Sequence, residues 1–332
     1  MKKYFEKIKR NFLIIKNDWK RDIKEYSINL ALIRCVGTIF KILRLNTIAT
    51  ILLNKKNKIV LSYLEKKYNY IFLKYKNKKN LFERDENIDN LPIWVCWLDG
   101  MDNAPPLIQR CIKSIYEHAN NHSVNLITWD NISNYIELPL YIKEKVLKKE
   151  MSYAHYSDII RIFLLEKYGG IWLDATIFCA KDLPEEYFKY PFFSCKSDLP
   201  TPGCISNNRW TTFCIGGQKG NILFKVLKEF YIEYWKKERY AIDYLFFDDA
   251  IELANRILPE VKMNINQIPQ NNIKRDELIL RFADIWKYGA VKDLLESDTA
   301  IFKLGYREDK FLHKYNNENK LTVYGAFIEE LF

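Results

Sequence analysis

The chain has 332 residues, of which 48% are apolar, 28% charged and 15% aromatic. This composition supports a buried core in one large domain or two smaller ones and excludes a disordered chain. Residues 1–80 contain 21 Lys/Arg and 5 Asp/Glu, so the excess that gives the chain its net charge of +10 lies in its first quarter. This asymmetry predicts an anionic partner at one end and excludes a uniformly basic nucleic-acid-binding protein.

The N-terminal quarter has apolar residues at helical spacing with lysines between them, at Phe5, Ile8, Phe12, Ile15, Trp19 and Ile23. No secretory signal is expected, because basic residues precede any apolar run. Two later apolar stretches, 28–43 and 45–53, are too short or too interrupted by charge to span a bilayer. Two interpretations stay open. The basic helices contact an anionic membrane surface, or they pack on the main domain with their lysines in water.

A polar stretch over residues 76–90 marks the change in charge along the chain. It predicts a basic helical N-terminal region, 1–88, followed by a main domain, 89–332. No nucleic-acid partner is predicted, since no helix-turn-helix or RNA-binding module accompanies the charge.

The main domain alternates predicted strands and helices. Strands are expected at 93–98, 125–129, 171–177, 192–196, 211–215 and 301–304, and helices at 105–119, 141–150, 153–168, 221–238 and 243–257. This alternation predicts an α/β fold with an open, mainly parallel sheet flanked by helices, plus an N-terminal helical extension. Glycine-rich phosphate loops of dinucleotide-binding or P-loop type are absent from the sequence, which argues against both classes.

Cysteine and histidine spacing excludes two further classes of protein. The seven cysteines include no CxxC pair, and the four histidines form no ligand cluster in the sequence. A disulfide scaffold or zinc module is therefore not expected, and the pattern favours a reducing, cytoplasmic compartment.

The segment 152–176 contains the charged residues that point to chemistry. Asp158 and Arg161 are three residues apart and share one face of a predicted, otherwise apolar helix. Such a pair is either a buried structural bridge or a ligand clamp. In the following strand Trp172, Asp174 and Thr176 point the same way. Asp174 then lies near the carboxyl end of the strand, where α/β sheets bind ligands.

This residue set suits a sugar nucleotide. Carboxylates accept hydrogen bonds from sugar hydroxyls, and an arginine donates to hydroxyls or to a diphosphate. A carboxylate at a strand end can also hold a divalent cation that neutralises the leaving diphosphate.

The string S-D-x-x-R-x-x-x-L-x-x-x-G-G-I-W-L-D-A-T over 157–176, behind Pro-Ile-Trp-Val-Cys-Trp at 92–97, resembles the bacterial capsular polysaccharide synthesis glycosyltransferases. These belong to the wider superfamily with a DXD-containing sugar-binding region and are similar to glycosyltransferase family 32. The resemblance extends over roughly residues 90–330 and leaves out the N-terminal quarter. Weaker similarities are at 209–211, 230–237, 243–248 and 301–304.

The resemblance implies a GT-A-type fold, a nucleotide-sugar donor and retention of anomeric configuration. It assigns Asp158 and Arg161 to the donor sugar and Asp174 to the first acid of the DXD motif. Trp94 or Trp97 would border the nucleobase. Because side chains alternate along a strand, only one of them can do so, and Trp97 is favoured.

The second acid of the DXD motif is replaced by Thr176, a weaker oxygen ligand. A divalent cation, Mn²⁺ or Mg²⁺, is still expected to bind through Asp174. Alternatively, Arg161 or Lys303 supplies the positive charge.

The other candidate residues each have a structural and a functional interpretation. His155 is a hydrogen-bonded structural group or a substrate contact, and Trp210 is a core residue or stacks on a sugar. Asp248, next to Asp249, caps a helix or offers a carboxylate near the acceptor. Lys303, in an apolar strand, needs a partner if it is buried, and a diphosphate is one candidate.

The sequence thus predicts a cytoplasmic glycosyltransferase, peripheral on the inner face of the cell membrane. It would move a hexose or N-acetylhexosamine from a UDP-sugar to a growing capsular or other surface polysaccharide, on a lipid-linked acceptor. Two alternatives stay open. One is a non-catalytic assembly factor on a GT-A-like scaffold, and the other is a basic membrane-binding adaptor in which Asp158 and Arg161 form a structural pair.

Overall fold

The structure is a computed structural model that describes residues 2–80, 91–306 and 311–332. The predicted domain boundary at residue 88 lies outside these residues. The described chain begins with helices α1 (Lys2–Glu25), α2 (Ile28–Ile42) and α3 (Asn46–Leu73). The Ser27 side chain accepts a hydrogen bond from the Leu30 N–H and starts α2, as an N-cap serine does.

The rest of the described chain alternates strands with mostly short helices. The strands are β1 (Ile93–Cys96), β2 (Val124–Ile127), β3 (Gly170–Leu173), β4 (Ile177–Cys179), β5 (Phe192–Ser194), β6 (Cys214–Gly217) and β7 (Ile301–Lys303). The helices are α4 (Pro106–Glu117), α5 (Ile132–Tyr135), α6 (Leu140–Leu147), α7 (Tyr153–Tyr168), α8 (Glu186–Lys189), α9 (Ile222–Lys237), α10 (Phe246–Ile257), α11 (Pro259–Asn266), α12 (Leu278–Arg281), α13 (Lys292–Leu295) and α14 (Val323–Ile328).

The predicted α/β class is confirmed, and the central sheet has the order β2-β1-β3-β6-β5. Its strands β1, β2 and β3 are parallel, whereas β6 runs antiparallel to both β3 and β5. The mixed direction follows from the connection between β5 and β6, which contains no helix among the described residues. A parallel pair needs a long crossover, usually helical, to return the chain to the same end of the sheet.

The predicted strand 171–177 is wrong in one respect, because it divides into β3 and β4. The Ile177 N–H donates to the Asp174 carbonyl at 2.9 Å and closes a turn between the two strands. This turn moves the chain from the central sheet to a two-stranded sheet of β4 and β7. Asp174 therefore lies in a turn between two sheets and not inside a strand.

Two glycines allow β3 to begin directly after α7. Gly169 and Gly170 both have positive φ, +70° and +93°. A Cβ atom added at Gly170 would lie 2.0 Å from the Pro92 carbonyl oxygen, so only glycine fits beside the start of β1.

The helix α3 packs on the main domain through buried aromatic side chains. The Tyr68 ring lies 5.4 Å from Phe230 and 5.6 Å from Tyr234, both on α9. The Tyr68 hydroxyl donates to Glu238 at 2.6 Å. The C-terminal part of α3 is thus packed on the main domain.

The apolar side chains predicted to form one face of α1 are only partly covered where they are described. On α1, Ile15 and Trp19 are half-buried and Ile23 is exposed; the side chains of Phe5, Ile8 and Phe12 lie outside the described part. Within the described residues, no helix is long and apolar enough to cross a membrane.

Candidate active site

Asp174 accepts hydrogen bonds from three side chains in the turn after β3. Its Oδ1 accepts from Trp172 Nε1 at 2.9 Å and from Arg161 Nη2 at 3.2 Å, and its Oδ2 accepts from Lys303 Nζ at 2.8 Å. Burial raises the pKa of the Asp174 carboxyl, but the charges of Lys303 and Arg161 outweigh burial and hold this pKa below its ordinary value. The side chain is still 30% exposed, so a ligand can reach this ionised carboxylate.

Arg161 is held from several directions on α7. Its Nη1 donates to the Thr212 carbonyl at 2.6 Å, and its Nη2 lies 3.6 Å from Asp158 Oδ1. The guanidinium carbon is 4.8 Å from the centre of the Trp172 ring, within the range of a cation–π contact. With only 5% of its side chain exposed, Arg161 is a fixed positive charge between two acids.

Asp158 lies one turn before Arg161 on α7. Its side chain is 14% exposed, and burial raises the pKa of its carboxyl despite the nearby Arg161. The helix that carries both residues begins at Ser152, whose side chain accepts from the His155 N–H at 3.2 Å. The structure thus brings Asp158, Arg161 and Asp174 together, and their roles toward a ligand stay predictions.

Lys303 joins this cluster from β7. Its Nζ donates to Asp174 Oδ2 and, at 2.7 Å, to Thr176 Oγ1. The ammonium group lies between the two side chains that match the DXD motif, and its side chain is 27% exposed. The sequence predicted that Lys303 needs a partner, and Asp174 and Thr176 are these partners.

These residues do not fit a divalent cation well. Both Asp174 oxygens and the Thr176 hydroxyl already accept hydrogen bonds from cationic or N–H donors. Among the described residues, no three His, Cys, Asp or Glu side chains converge as metal ligands. The divalent cation expected from the sequence stays a prediction, and we derive no step through it.

A second pair of acids lies behind this cluster, on α10. Asp248 Oδ1 accepts from Trp210 Nε1 at 2.9 Å, and burial, reinforced by the charge of Asp158, raises the pKa of its carboxyl to about 7. Burial also raises the pKa of the neighbouring Asp249, whose two carboxylate oxygens have no hydrogen-bond partner in the described part of the chain. The region thus contains an ionised carboxylate, Asp174, and two carboxyl groups, Asp248 and Asp249, whose neutral form is favoured by burial.

Of the three tryptophans that were candidates for substrate contacts, two are core residues and one is partly exposed. Trp94 is 2% exposed, and its Nε1 donates to the Gly169 carbonyl at 2.9 Å, so it cannot border a nucleobase. Trp210 is 1% exposed and does not stack on a sugar. Each indole is packed in the core with its N–H satisfied, which favours the core interpretation of Trp210 and agrees with the preference for Trp97 over Trp94.

Trp97 is half-buried just after β1, with its ring 5.6 Å from Tyr306. Burial raises the pKa of the adjacent Cys96 thiol, with smaller opposing effects of the charges of Arg161 and Asp174, so the carboxyl end of β1 borders the site. Trp97 thus stays a candidate for the nucleobase contact.

His155 is buried, with its ring nitrogens 3.1 Å from Ser152 Oγ and 3.2 Å from the Tyr244 carbonyl. This favours its structural interpretation. Sequence reasoning missed the contribution of Trp172, which both donates to Asp174 and lies under Arg161. Its position two residues before Asp174, on the same face of the strand, was the available signal.

Residues 41–325 match the sequence family described as "Capsular polysaccharide synthesis protein". The match covers most of the chain, and the chain belongs to this family. It begins at residue 41, so the expectation that the resemblance starts near residue 90 is wrong. The packing of α3 on α9 gives the physical reason, since α3 contributes to the core of this chain together with the main domain.

The chain is also similar to single proteins. It is 30% identical over 95 residues to "O-glycosyltransferase braB" from Annulohypoxylon truncatum, a match that covers 26% of this chain and 23% of that protein. The chain thus spans about a quarter of the length of this curated relative. A solved structure, "WbbM bifunctional glycosytransferase apo structure", aligns with 73% of this chain and 49% of its own, at 12% identity and a TM-score of 0.38. The family membership rests on the family match alone.

Proposed function

We propose that this protein is a GT-A-type glycosyltransferase. It moves a hexose or N-acetylhexosamine from a UDP-sugar to a growing capsular or other surface polysaccharide. The observation that carries the proposal is the convergence of Asp158, Arg161, Asp174 and Lys303 at the turn between the two sheets. The family to which the chain belongs and the name of its curated relative support the same class of reaction.

The proposed roles follow from charge and exposure. Asp174, ionised and partly exposed, accepts hydrogen bonds from ribose or sugar hydroxyls. Asp158 and Arg161 orient the donor sugar. Trp97 borders the nucleobase at the end of β1.

Lys303 and Arg161 stabilise the charge that develops on the leaving diphosphate. Fixed charges in a partly desolvated site are effective in this role, because they need little reorganisation when the bond breaks. The Lys303 ammonium is the more accessible of the two, with 27% of its side chain exposed against 5% for Arg161.

The proposed step retains the anomeric configuration. A bond forms between the acceptor hydroxyl oxygen and the anomeric carbon, and the bond from that carbon to the diphosphate oxygen breaks on the same face of the sugar. The acceptor proton passes to the leaving phosphate oxygen, so the step needs no covalent enzyme intermediate. Catalysis then rests on positioning and electrostatic stabilisation.

We further propose that the protein docks peripherally on an anionic membrane surface through α2 and the start of α3, where it would meet a lipid-linked acceptor. The outer face of α2 is apolar: Ile28, Leu32, Val36 and Ile39 recur at helical spacing and are exposed. Further exposed apolar residues continue this surface at Ile42, Leu43, Leu45, Ile48 and Ile51. We call these nine residues the α2 patch.

The charges around the α2 patch favour an anionic surface over an apolar protein partner. Residues 26–64 contain six Lys/Arg and no Asp or Glu. Lys41, Arg44, Lys55 and Lys58 are exposed among them. Apolar side chains that enter the lipid boundary, flanked by cations that meet acidic headgroups, are typical of interfacial helices.

A ligand screen tests the catalytic proposal directly. The purified protein is heated with UDP, GDP and CDP sugars, and release of the nucleoside diphosphate is then measured with and without saccharide acceptors. A nucleotide at 100 times its Kd should add about 2.7 kcal/mol of stability. Stabilisation by a UDP-sugar together with UDP release supports the enzyme. Stabilisation without any release indicates the assembly factor, and no response to any nucleotide indicates the membrane adaptor.

A further inference from the structure

A cavity of about 1140 Å³ lies between the N-terminal helices and the start of α7. Its walls come from α1, α2, α3 and α6, from the segment 149–155 and from the loop 241–244. Small-molecule pockets are typically about 300–1,000 Å³, so this cavity can hold more than one sugar ring. No local sequence pattern indicates this cavity, because its lining residues extend along the chain from Asp18 to Tyr244.

Two elements connect this cavity with the charged cluster. The helix α7 begins in the cavity wall, which contains Tyr153 and His155, and Asp158 follows one turn later on the same face. At a rise of about 1.5 Å per residue, His155 and Asp158 are about 4.5 Å apart along the helix axis. The loop with Asp243 and Tyr244 also lines the cavity and leads into α10, which carries Asp248.

The cavity presents aromatic rings to solvent. Tyr244 is 75% exposed, Tyr153 is 66% exposed and Trp129 is 40% exposed, and all three line it. The Trp129 ring stacks on the buried Tyr156 at 5.3 Å between centroids, so its orientation is fixed. Exposed, oriented aromatic rings with polar edges suit a partner that has both apolar faces and hydroxyl groups, as sugar rings have.

The basic residues that line the cavity are of two kinds, those in ion pairs and those without one among the described residues. Lys56 pairs with Asp243, and Arg34 pairs with Asp22 at 2.6 Å, so these cations stiffen the wall. Lys143 and Lys149 also line the cavity, and neither forms an ion pair or a side-chain hydrogen bond with any residue in the described ranges. Their ammonium groups can donate to sugar hydroxyls or to acidic substituents.

We propose that this cavity binds the saccharide acceptor, with Trp129, Tyr153 and Tyr244 as its stacking surface. The proposal rests on the proposed function, because it assigns the acceptor to one side of Asp158 and the donor to the other, at Asp174. The reducing or lipid-linked end of a growing chain would then leave the cavity beside α2 and α3.

Kinetics with tagged saccharides test this assignment. We would measure transfer to p-nitrophenyl hexosides and N-acetylhexosaminides, of one to three sugar units, for Tyr244→Ala and Trp129→Ala. We expect the acceptor KM to rise about tenfold, while the donor KM and donor hydrolysis without acceptor stay at wild-type values. Tyr288→Ala is the matched control, since Tyr288 is fully exposed and outside the cavity lining. An unchanged acceptor KM in both cavity variants would overturn the proposal.

Trp129→Phe is the control for a folding defect in Trp129→Ala. It keeps an aromatic ring over Tyr156, so it should restore most of the acceptor affinity that Trp129→Ala loses. If Trp129→Phe and Trp129→Ala were equally impaired while Tyr244→Ala behaved like the wild type, stacking in the cavity would be refuted.

Saturation-transfer NMR without donor separates failure of this proposal from failure of the proposed function. The same glycosides should show ring-proton signals with the wild type and weaker signals with Tyr244→Ala. If no nucleotide sugar is turned over but these signals persist and depend on Tyr244, the proposed function fails and the saccharide site stands. Signals that are absent, that do not depend on Tyr244, or that arise only from the p-nitrophenyl group and not from the sugar ring would overturn the saccharide site.

Discussion

Two helices of similar length, α2 and α7, both depart from the usual pattern of an amphipathic helix, but in opposite ways. The helix α7 has charged residues, Asp158 and Arg161, on a face that is buried. The helix α2 has apolar residues on a face that is exposed, with Leu32, Val36 and Ile39 among them. A soluble helix ordinarily buries its apolar stripe and exposes its charges.

The two helices also bury their arginines differently. On α2, Arg34 pairs with Asp22, which is fully buried, and its other amino group donates to the Ile242 carbonyl. On α7, Arg161 pairs with Asp174, whose side chain is 30% exposed. The first pair is closed at its carboxylate, although Arg34 reaches the cavity wall, whereas the second is open at its carboxylate. Access of solvent to the carboxylate, more than the presence of a buried charge, distinguishes the two pairs.

The largest effect should come from removing the open carboxylate. Asp174→Asn keeps the size of the side chain but loses the charge that Arg161 and Lys303 face. We expect sugar transfer to fall by at least about 100-fold, as is typical when one electrostatic contact of a transition state is lost. The exposed Asp182, which contacts His118, provides the matched control Asp182→Asn. A wild-type rate of UDP release from purified Asp174→Asn protein would contradict the site.

Lys303 should be nearly as important if it supplies the positive charge at the diphosphate. Lys303→Met keeps the aliphatic stem and removes the ammonium that donates to Asp174 and Thr176. We expect a loss of about 100-fold in kcat, and little effect of EDTA on the wild type. If EDTA abolished wild-type transfer and Mn²⁺ or Mg²⁺ restored it, the predicted divalent cation would take this role instead.

The closed pair, Asp22 on α1 and Arg34 on α2, should affect stability and not activity. Asp22→Asn removes the carboxylate that both Arg21 and Arg34 face and leaves Arg34 only Asp243, 3.9 Å away, as an acid partner. Breaking a buried pair costs about 3–5 kcal/mol of stability. We expect a large fall in the urea midpoint, with kcat per folded molecule unchanged. An Asp22→Asn variant of normal stability and lost activity would mean that this pair, too, belongs to the site.

The α2 patch should determine membrane binding. We expect the wild type to sediment with vesicles that contain anionic lipid, and this binding to weaken as salt is added. Leu32→Glu combined with Val36→Glu should reduce binding at least tenfold, because it places two acids on the apolar face. Ile273→Glu with Leu280→Glu is the control, since both residues are exposed on the main domain.

Point substitutions are the right tool here, because deleting residues 1–80 would also remove the buried Tyr68. Equal vesicle binding by the α2 variant and its control would exclude α2 as the membrane contact.

The sequence predicted local structure well where a few neighbouring residues decide it. The bounds of α7 agree with the prediction because Ser152 caps its start and Gly169 ends it. The predicted strand 171–177 was wrong because its end depends on β7, more than 120 residues away in the chain. Periodicity indicates an amphipathic helix, but it does not tell which face a neighbouring helix will cover.

In the candidate site, too, the sequence predicted what neighbouring residues decide and missed what distant residues decide. The spacing within 157–176 predicted that Asp158 and Arg161 share a helix face and that Asp174 lies near a strand end, and the family resemblance implied that the three belong to one site. No local pattern could show that Lys303 contacts Thr176, or that Trp210 is buried against Asp248. The acceptor cavity could not be foreseen for the same reason, since it exists only where α1, α2 and α3 meet the start of α7.

The smallest effect should come from Asp248, which is buried behind the cluster of Asp158, Arg161 and Asp174. Burial raises the pKa of Asp248 to about 7, so the folded protein keeps a proton there that the unfolded chain loses above about pH 4. Between these values the folded state binds more protons than the unfolded state, and stability falls as pH rises. Asp248→Asn removes this titration and keeps an oxygen that can accept from Trp210.

The melting temperature of Asp248→Asn, relative to the wild type, should therefore rise by a few degrees from pH 4.5 to pH 7 and then level off. The slope cannot exceed about 1.4 kcal/mol per pH unit for one proton. A constant difference across this range would mean that Asp248 is ionised in the folded protein. The buried face of α7 would then contact a charged Asp248 and not a neutral one. The difference between α7 and the closed Asp22–Arg34 pair would be smaller in that case.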